Sequence, residues 1–264
     1  MKSNSPVDIE NIYNDYIDSK QEENYNKRYK GKEHYYHASG AGSCSRKLYF
    51  ESVVQAEASE DMDSKTKRLL RLGNIVHDDI QLSLEIYNRD IYNRDIYNRD
   101  NNKDKEKEIK NKEKAFKFHT EEEVSIEELK VRGHYDIVAE KKDTEVYLYD
   151  IKTCASYSWS MKFGRKKNFN PSIHYELQLG TYGYAIKQQM GRLDGMFLYY
   201  YNKDNSRMRC VQVPLTFVSR AYLFWRNIND EHEQGLPPFR KGVSPVQDWQ
   251  CNYCQYRAVC NPPR

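Results

Sequence analysis

VRGHYDIVAEKKDTEVYLYDIKT, residues 131–153, holds two short apolar runs, with Asp136 in the first, Asp150 near the end of the second and Lys152 just beyond. VRGHYDIVAE and TEVYLYDIKT have the β-branched and aromatic enrichment of strands, and the polar EKKD between them reads as a hairpin turn. Two adjacent antiparallel strands are expected. Side chains alternate along a strand, so Asp150 and Lys152 project from one face while Ile151 points the other way into a core. Asp136 on the neighbouring strand can reach the same face.

Two carboxylates and an ammonium on one patch suit a divalent-metal site with a charged helper. Mg²⁺ and Mn²⁺ prefer oxygen ligands, keep several waters, and are held by one or two carboxylates together with substrate phosphates. Lys152 could orient a metal-activated water or offset charge developing on phosphate oxygens. The plainer reading is a turn residue followed by a surface ion pair on an ordinary hairpin, and these residues alone do not choose between the two.

The wider order of motifs bears on that choice. His77 stands in RLGNIVH, Asp136 in GHYD, Asp150 and Lys152 in YDIK, and Gln178 and Tyr182 in QLGTY. This ordered set resembles the RecB-like branch of the PD-(D/E)xK nucleases. The resemblance implies an α/β fold with a restriction-endonuclease-like core, a central mixed sheet flanked by helices. It also implies that His77 adds a nitrogen ligand beside Asp136 and Asp150, with the Ile151 carbonyl a further one, and that Lys152 assists the attacking water. Gln178 and Tyr182, four apart on one helix face, would contact substrate or support the wall of the site.

With 264 residues the chain can bury one good core, and 31% charged residues keep it polar. No run approaches a membrane span, and MKSNSPVDIE lacks a signal-peptide core, so a cytoplasmic protein is expected. A net charge of +3 does not by itself point to nucleic acid. The 23 tyrosines could stack on unpaired bases or simply fill half-buried positions.

Residues 8–17 space Ile9, Ile12, Tyr13, Tyr16 and Ile17 as a short amphipathic helix, followed by a polar arm. In HASGAGSCSRKLYF, 37–50, Ser39, Gly40, Gly42 and Ser43 read as a flexible or helix-opening loop before a basic apolar segment, with Cys44 at the end of that loop. A long helix is expected over 64–86, with Leu69, Leu70, Ile75, Val76, Ile80, Leu82 and Leu84 as its apolar contacts. IYNRD then occurs three times before a Lys/Glu-rich run, so 88–114 reads as an insertion, either a solvated helical extension or disorder. One of Glu121, Glu122 and Glu123 could approach the metal, or the three could form an acidic edge. KFGRKKN, 162–168, is the densest basic patch and lies near Trp159 and Phe163, a composition suited to a single-strand channel or to a solvated loop. A helix over 174–190, strands over 193–201 and 207–215, and a helix over 217–233 with Trp225 as core anchor complete the chain.

Cys251, Cys254 and Cys260 form C-x2-C-x5-C in the tail. Clustered thiols in a reducing compartment point to metal, and three ligands are one short of the usual four, which Cys44 can supply. Zinc and a four-iron four-sulfur cluster both use such ligands. The layout resembles iron-sulfur RecB-like nucleases, including the CRISPR-associated exonuclease and the AddB nuclease domain. That resemblance implies a structural iron-sulfur staple joining the N- and C-terminal parts, with Cys154 and Cys210 as free thiols.

The implied function is a Mg²⁺- or Mn²⁺-dependent DNA exonuclease acting on single strands or free ends, with CRISPR integrase proteins or recombination and replication proteins as partners and no membrane. A catalytically silent DNA-binding or adaptor subunit that retains the fold is the alternative. The expected layout is an N-terminal helix and arm over 1–36, then one nuclease domain over 37–264 with a cluster-binding tail at 249–264.

Overall fold

The computed structural model describes residues 7–29, 35–56, 62–100, 116–141, 144–164, 172–235, 237–244 and 250–260, and for 24–29 and 92–100 the backbone alone. The helices are α1 (Ile9–Tyr29), α2 (Ser45–Leu48, continued by a wider turn over Tyr49–Val53), α3 (Ser64–Asp100), α4 (Ser156–Phe163), α5 (Ile173–Met190), α6 (Thr216–His232) and α7 (Arg257–Cys260). The strands are β1 (Tyr36–His37), β2 (Lys117–Thr120), β3 (Glu123–Ile126), β4 (Val131–His134), β5 (Ile137–Lys141), β6 (Glu145–Cys154), β7 (Gly195–Asn202) and β8 (Met208–Val213). A five-stranded sheet runs β2-β5-β6-β7-β8, and a three-stranded sheet runs β1-β4-β3. The larger sheet is mixed, because β6 and β7 are parallel while its other pairs are antiparallel.

The hairpin reading needs one correction. VRGHYDIVAE is not one strand: it breaks at Tyr135 and Asp136, so that β4 pairs with β3 in the small sheet and β5 pairs with β6 in the large one. The facing chain bends at the same level, between β2 and β3. Glu121 there adopts a left-handed φ of 53°, its N–H donating to the Asp136 carbonyl at 3.3 Å while Tyr135 N–H donates to the Glu122 carbonyl at 3.3 Å. A long β-ribbon is thus kinked, and Asp136 sits at the kink.

Alternation in β6 buries Val146, Leu148 and Asp150 on one face. The same face carries Val138 of β5 and Met196, Leu198, Tyr200 and Asn202 of β7. Helices α5 and α6 cover it. Leu177, Leu179, Ala185 and Ile186 of α5 meet Phe217, Ala221, Trp225 and Ile228 of α6 in the main core, and the fully buried Trp225 donates from Nε1 to Thr181 Oγ1 at 2.8 Å. Trp225 therefore anchors the core as expected. Ile151 is fully buried on the opposite face, outside that cluster. The main core thus lies on the Asp150 side.

Helix α3 differs from its expected packing. Leu69, Leu70, Ile75 and Leu82 are 43–53% exposed, while the inward stripe is Gly73, the part-buried His77, and the buried Gln81. It runs through the three repeats to Asp100, a helical extension over that part, and 101–115 lie outside the described residues. The N-terminal helix is longer than expected and docks on α3 through Asp18–Lys67 and Asn14–Arg68 contacts at 2.9 and 2.7 Å. No helix among the described residues is long and apolar enough to cross a membrane.

Gly180 sets how closely α5 and α6 approach, since a Cβ there would stand 2.3 Å from the Phe217 carbonyl oxygen. Ala gains about 1 kcal/mol of helix propensity over Gly, but overpacking against backbone costs about 1–3 kcal/mol. Gly180→Ala is expected to lower stability, and a urea midpoint at or above that of the wild type would contradict this packing.

Candidate active site

Four elements meet at one cleft. The ribbon kink delivers Asp136, β6 delivers Asp150 and Lys152, α5 delivers Gln178 and Tyr182, and α3 delivers His77. Asp136 Oδ2 accepts from the Ile151 N–H at 2.5 Å and lies 3.6 Å from His77 Nδ1. Lys152 Nζ is 2.6 Å from Asp150 Oδ2 and donates to Gln178 Oε1 at 3.0 Å, while Gln178 Nε2 donates to Asp150 Oδ1 at 3.2 Å. The Lys152 ammonium also rests 4.8 Å from the centre of the Tyr175 ring.

Tyr182 is 4% exposed, with Gln178 against its hydroxyl, and burial holds that phenol above its ordinary range. A Cβ at Gly133 would come within 3.1 Å of that hydroxyl, which gives the glycine of GHYD a packing reason. Position places Tyr182 in the wall of the cleft.

Two participants were not singled out from sequence. Gln81 donates to the Asp136 carbonyl at 3.1 Å and to Glu121 Oε2 at 3.0 Å, fixing the kink against α3. Its spacing of four from His77 is the signal that could have found it. Tyr175 carried no comparable signal. Of the three glutamates, Glu121 is held beside Asp136, whereas Glu122 accepts from Tyr135 at 2.6 Å and pairs with His119 at 3.1 Å. Glu123 opens β3 and is exposed. In KFGRKKN only Lys162, Phe163 and Gly164 fall among the described residues.

The electrostatics follow from burial. Desolvation pushes the Asp150 carboxyl up to about 6 and the neighbouring Asp136 charge adds to this, against the pull of Lys152 and His77. Burial works against a charged Lys152, but Asp150 and Asp136 outweigh it and hold the ammonium above its ordinary value. Burial likewise opposes a charged His77, yet the Asp136 hydrogen bond and charge leave its pKa raised.

Two carboxylates and an imidazole are a donor set that fits a hard divalent cation. Asp150 Oδ2 supports the fit, being buried and without a well-directed hydrogen bond despite its close ion-pair contact. No three His, Cys, Asp or Glu side chains among the described residues stand close enough together to ligate one ion.

A second site lies at the chain ends. Cys44, Cys251, Cys254 and Cys260 border one cavity of about 140 Å³, with Lys47, Arg240 and Arg257 also in its lining. All four are free thiols and are not drawn into a ligand group, so the expected iron-sulfur staple has no assembled counterpart here. The tail nevertheless closes on the Cys44 loop: Cys44 N–H donates to Gln250 Oε1 at 2.9 Å, and Ser45 N–H donates to the Lys241 carbonyl at 2.5 Å. Burial pushes the Cys254 thiol up, opposed by the Tyr256 N–H and Lys47, and Cys44 and Cys260 lie near enough to raise it further. Cys154 ends β6 and Cys210 is exposed on β8.

This chain belongs to the PD-(D/E)XK nuclease superfamily, whose sequence profile matches residues 36–261. Nucleases of that superfamily use divalent metals such as Mg²⁺ or Mn²⁺. Among solved structures, SSO0001 is similar at 17% identity with a TM-score of 0.53, covering 94% of this chain and 96% of its own. An exonuclease candidate from Eubacterium rectale is 14% identical with a TM-score of 0.49, covering 98% and 96%. At such identities the first likeness is one of fold. No curated protein matches the chain.

The raised Asp150 pKa has a sign that folding can report. The folded chain holds this proton more tightly than the unfolded chain, so the stabilisation is present below the ordinary 3.8 and is lost as pH rises through about 6. With chelator present, stability relative to Asp150→Asn should fall by roughly 1–3 kcal/mol across that window and level off above it. Parallel stability–pH curves for the two proteins in urea would contradict the assignment.

Proposed function

We propose that the protein is a Mg²⁺- or Mn²⁺-dependent DNA exonuclease that hydrolyses phosphodiester bonds in single strands or at free ends. The observation that carries this reading is the meeting of Asp136, Asp150, Lys152, Gln178 and His77 in one cleft of a nuclease-superfamily fold. His77, Asp136 and Asp150 would draw together on the ion when it binds, with the Ile151 carbonyl as a further ligand. When bound, such an ion polarises a phosphate and lowers the pKa of a coordinated water.

Within this reading the side chains divide the work. Lys152 is held by Asp150, Gln178 and Tyr175, and in this reading its ammonium would serve as the donor to the attacking water and to charge developing on the phosphate. Gln178 bridges Lys152 and Asp150 and turns with α5, which couples strand placement to the charge pair. Tyr182 backs Gln178 from the buried side. Residues 37–264 form one nuclease domain in this reading, with 1–36 as an N-terminal helix and arm.

The four cysteines are assigned to a four-iron four-sulfur cluster of structural role, because four thiols border one cavity and three cations lie in its lining. Thiolate ligands make such a cluster anionic, which Lys47, Arg240 and Arg257 offset. When bound it would join the Cys44 loop to the tail, and phosphodiester hydrolysis asks no electron transfer of it. The setting is a reducing cytoplasm, in CRISPR spacer acquisition with integrase proteins or in recombination and replication of DNA, and co-purification with either set of proteins separates the two.

Anaerobically purified protein with Mg²⁺ or Mn²⁺ should progressively shorten end-labelled single-stranded DNA. Asp150→Ala and Lys152→Ala should each be slower by on the order of 10²-fold or more. Wild-type rates in either variant would remove the assignment, and DNA binding without turnover in any metal would favour a silent binding subunit. Cys251→Ala should lower soluble yield and iron content together. A well-folded, iron-free variant with normal yield, or zinc in place of iron and sulfide in the wild type, would overturn the cluster.

A further inference from the structure

A second cation stands on the same side of the large sheet as the candidate active site. Lys162 lies in the last turn of α4, where its Nζ donates to Ser172 Oγ and sits 4.9 Å from the centre of the Tyr200 ring. The Tyr200 hydroxyl donates to the same Ser172 oxygen at 3.3 Å. Register ties this group to the site already described. Tyr200 lies directly beside Lys152 across the parallel β6–β7 pair, so both side chains leave the same face of the sheet. Ser172 stands just before the first turn of α5, three residues before Tyr175, the ring under Lys152. Two ammonium groups therefore stand on two aromatic rings on one side of the sheet.

Only one of them is answered by a carboxylate in contact. Lys152 touches Asp150 at 2.6 Å, whereas Lys162 forms no ion pair among the described residues and feels Glu176 only at longer range. The link between α4 and α5, GRKKNFNP over 164–171, contains no Asp or Glu that could supply one. The two cations are felt by one neighbour, His174. Burial keeps Lys162 below the ordinary lysine range. His174 is pushed down to about 4 by burial and then by Lys152 and Lys162, and its buried Nδ1 has no hydrogen-bond partner. Packing on Tyr200 needs only the methylenes, which an apolar side chain would supply without desolvating a charge. A part-buried ammonium whose closest acceptor is a neutral hydroxyl is suited to an incoming anion.

Resting on the nuclease reading above, we propose that Lys162, seated on Tyr200 and Ser172, is a phosphate subsite that takes the internucleotide phosphate next to the scissile one along a single DNA strand. The Tyr200 ring under Lys162 is carried on the strand next to Lys152, about 4.8 Å away across the sheet. Lys162 is thus a substrate-positioning residue outside the hydrolytic set, and its charge rather than its bulk is what matters.

The test uses the full chain, a fluorescent thymidine oligonucleotide and chelator to prevent turnover. Binding is measured over a range of salt for wild type, Lys162→Met and Lys162→Arg. Losing one phosphate contact on a single strand should make the log–log salt slope shallower by about 0.7 in Lys162→Met, with Lys162→Arg keeping the wild-type slope. A strut that merely packs would leave the slopes equal, and equal slopes in folded proteins overturn the subsite while the nuclease reading stands. Wild type that binds no oligonucleotide overturns both. A second measurement guards against a Lys162→Met protein that does not fold. Replacing the phosphate beside the cleaved bond by an uncharged methylphosphonate should raise the wild-type KM several-fold with little change in kcat, and unchanged kinetics on that substrate would overturn the subsite.

Discussion

The contact from the Ile151 N–H to Asp136 Oδ2, 2.5 Å long, joins the fold to its site. Strand β5 pairs with β6 only as far as Ile137 opposite Tyr149. Past that point the ribbon leaves for the small sheet, and the next β6 amide on that edge would be buried without a partner, which costs about as much as a lost hydrogen bond. The Asp136 side chain takes the place of the missing strand. The residue that closes the backbone ledger at the sheet's broken edge thus presents a carboxylate to the cleft. Gln81 holds its carbonyl from behind, so the kink cannot relax without breaking a contact to α3.

A second constraint follows from where Asp150 lies. Val146, Leu148 and Asp150 form one buried stripe, and the carboxylate occupies the position where alternation would put a third apolar side chain. A core position raises its pKa, and the fold answers with Lys152 and with the Gln178 amide rather than with water. Helix α5 must then be placed closely enough for Gln178 to reach both partners. That placement depends on Gly180 against α6 and on Tyr182 against Gly133, two sites where a side chain would push the helix outward. Packing at and beyond the wall of the cleft therefore fixes distances inside it.

Sequence reading reached the chemistry-bearing residues more surely than their surroundings. The pattern of β6 was legible because alternation and β-branching act locally, and the polarity of Asp150 and Lys152 stood out against it. The break at Tyr135–Asp136 was not, because HYDIV has unbroken strand character and the bend is set by Glu121 and Glu122 on the facing chain. In α3 the leucine spacing gave a helix but not the covered face. The inward stripe is Gly73, His77 and Gln81, chosen by what the site needs rather than by hydrophobicity. The three-cysteine tail and Cys44 were legible as a set, whereas sequence spacing carries no information on how tightly a cavity draws four thiols together.

The two ends of the molecule are not independent of the cleft. Gly42, with φ of 79°, lets the Cys44 loop lie flat on the first turn of α5, since a Cβ there would come within 3.0 Å of His174 and 2.7 Å of Val243. Val243 N–H donates back to the Gly42 carbonyl at 2.9 Å, so the Cys44 loop, the segment around Val243 and α5 are packed at one point. His174 is one helical turn before Gln178. Displacing the segment around Val243 would therefore loosen the start of α5 before it disturbed the sheet, and Gln178 would lose its hold on Lys152 and Asp150 while both stayed in register on β6. The Cys44 loop thus bears on the cleft through the position of one helix, by packing and hydrogen bonds.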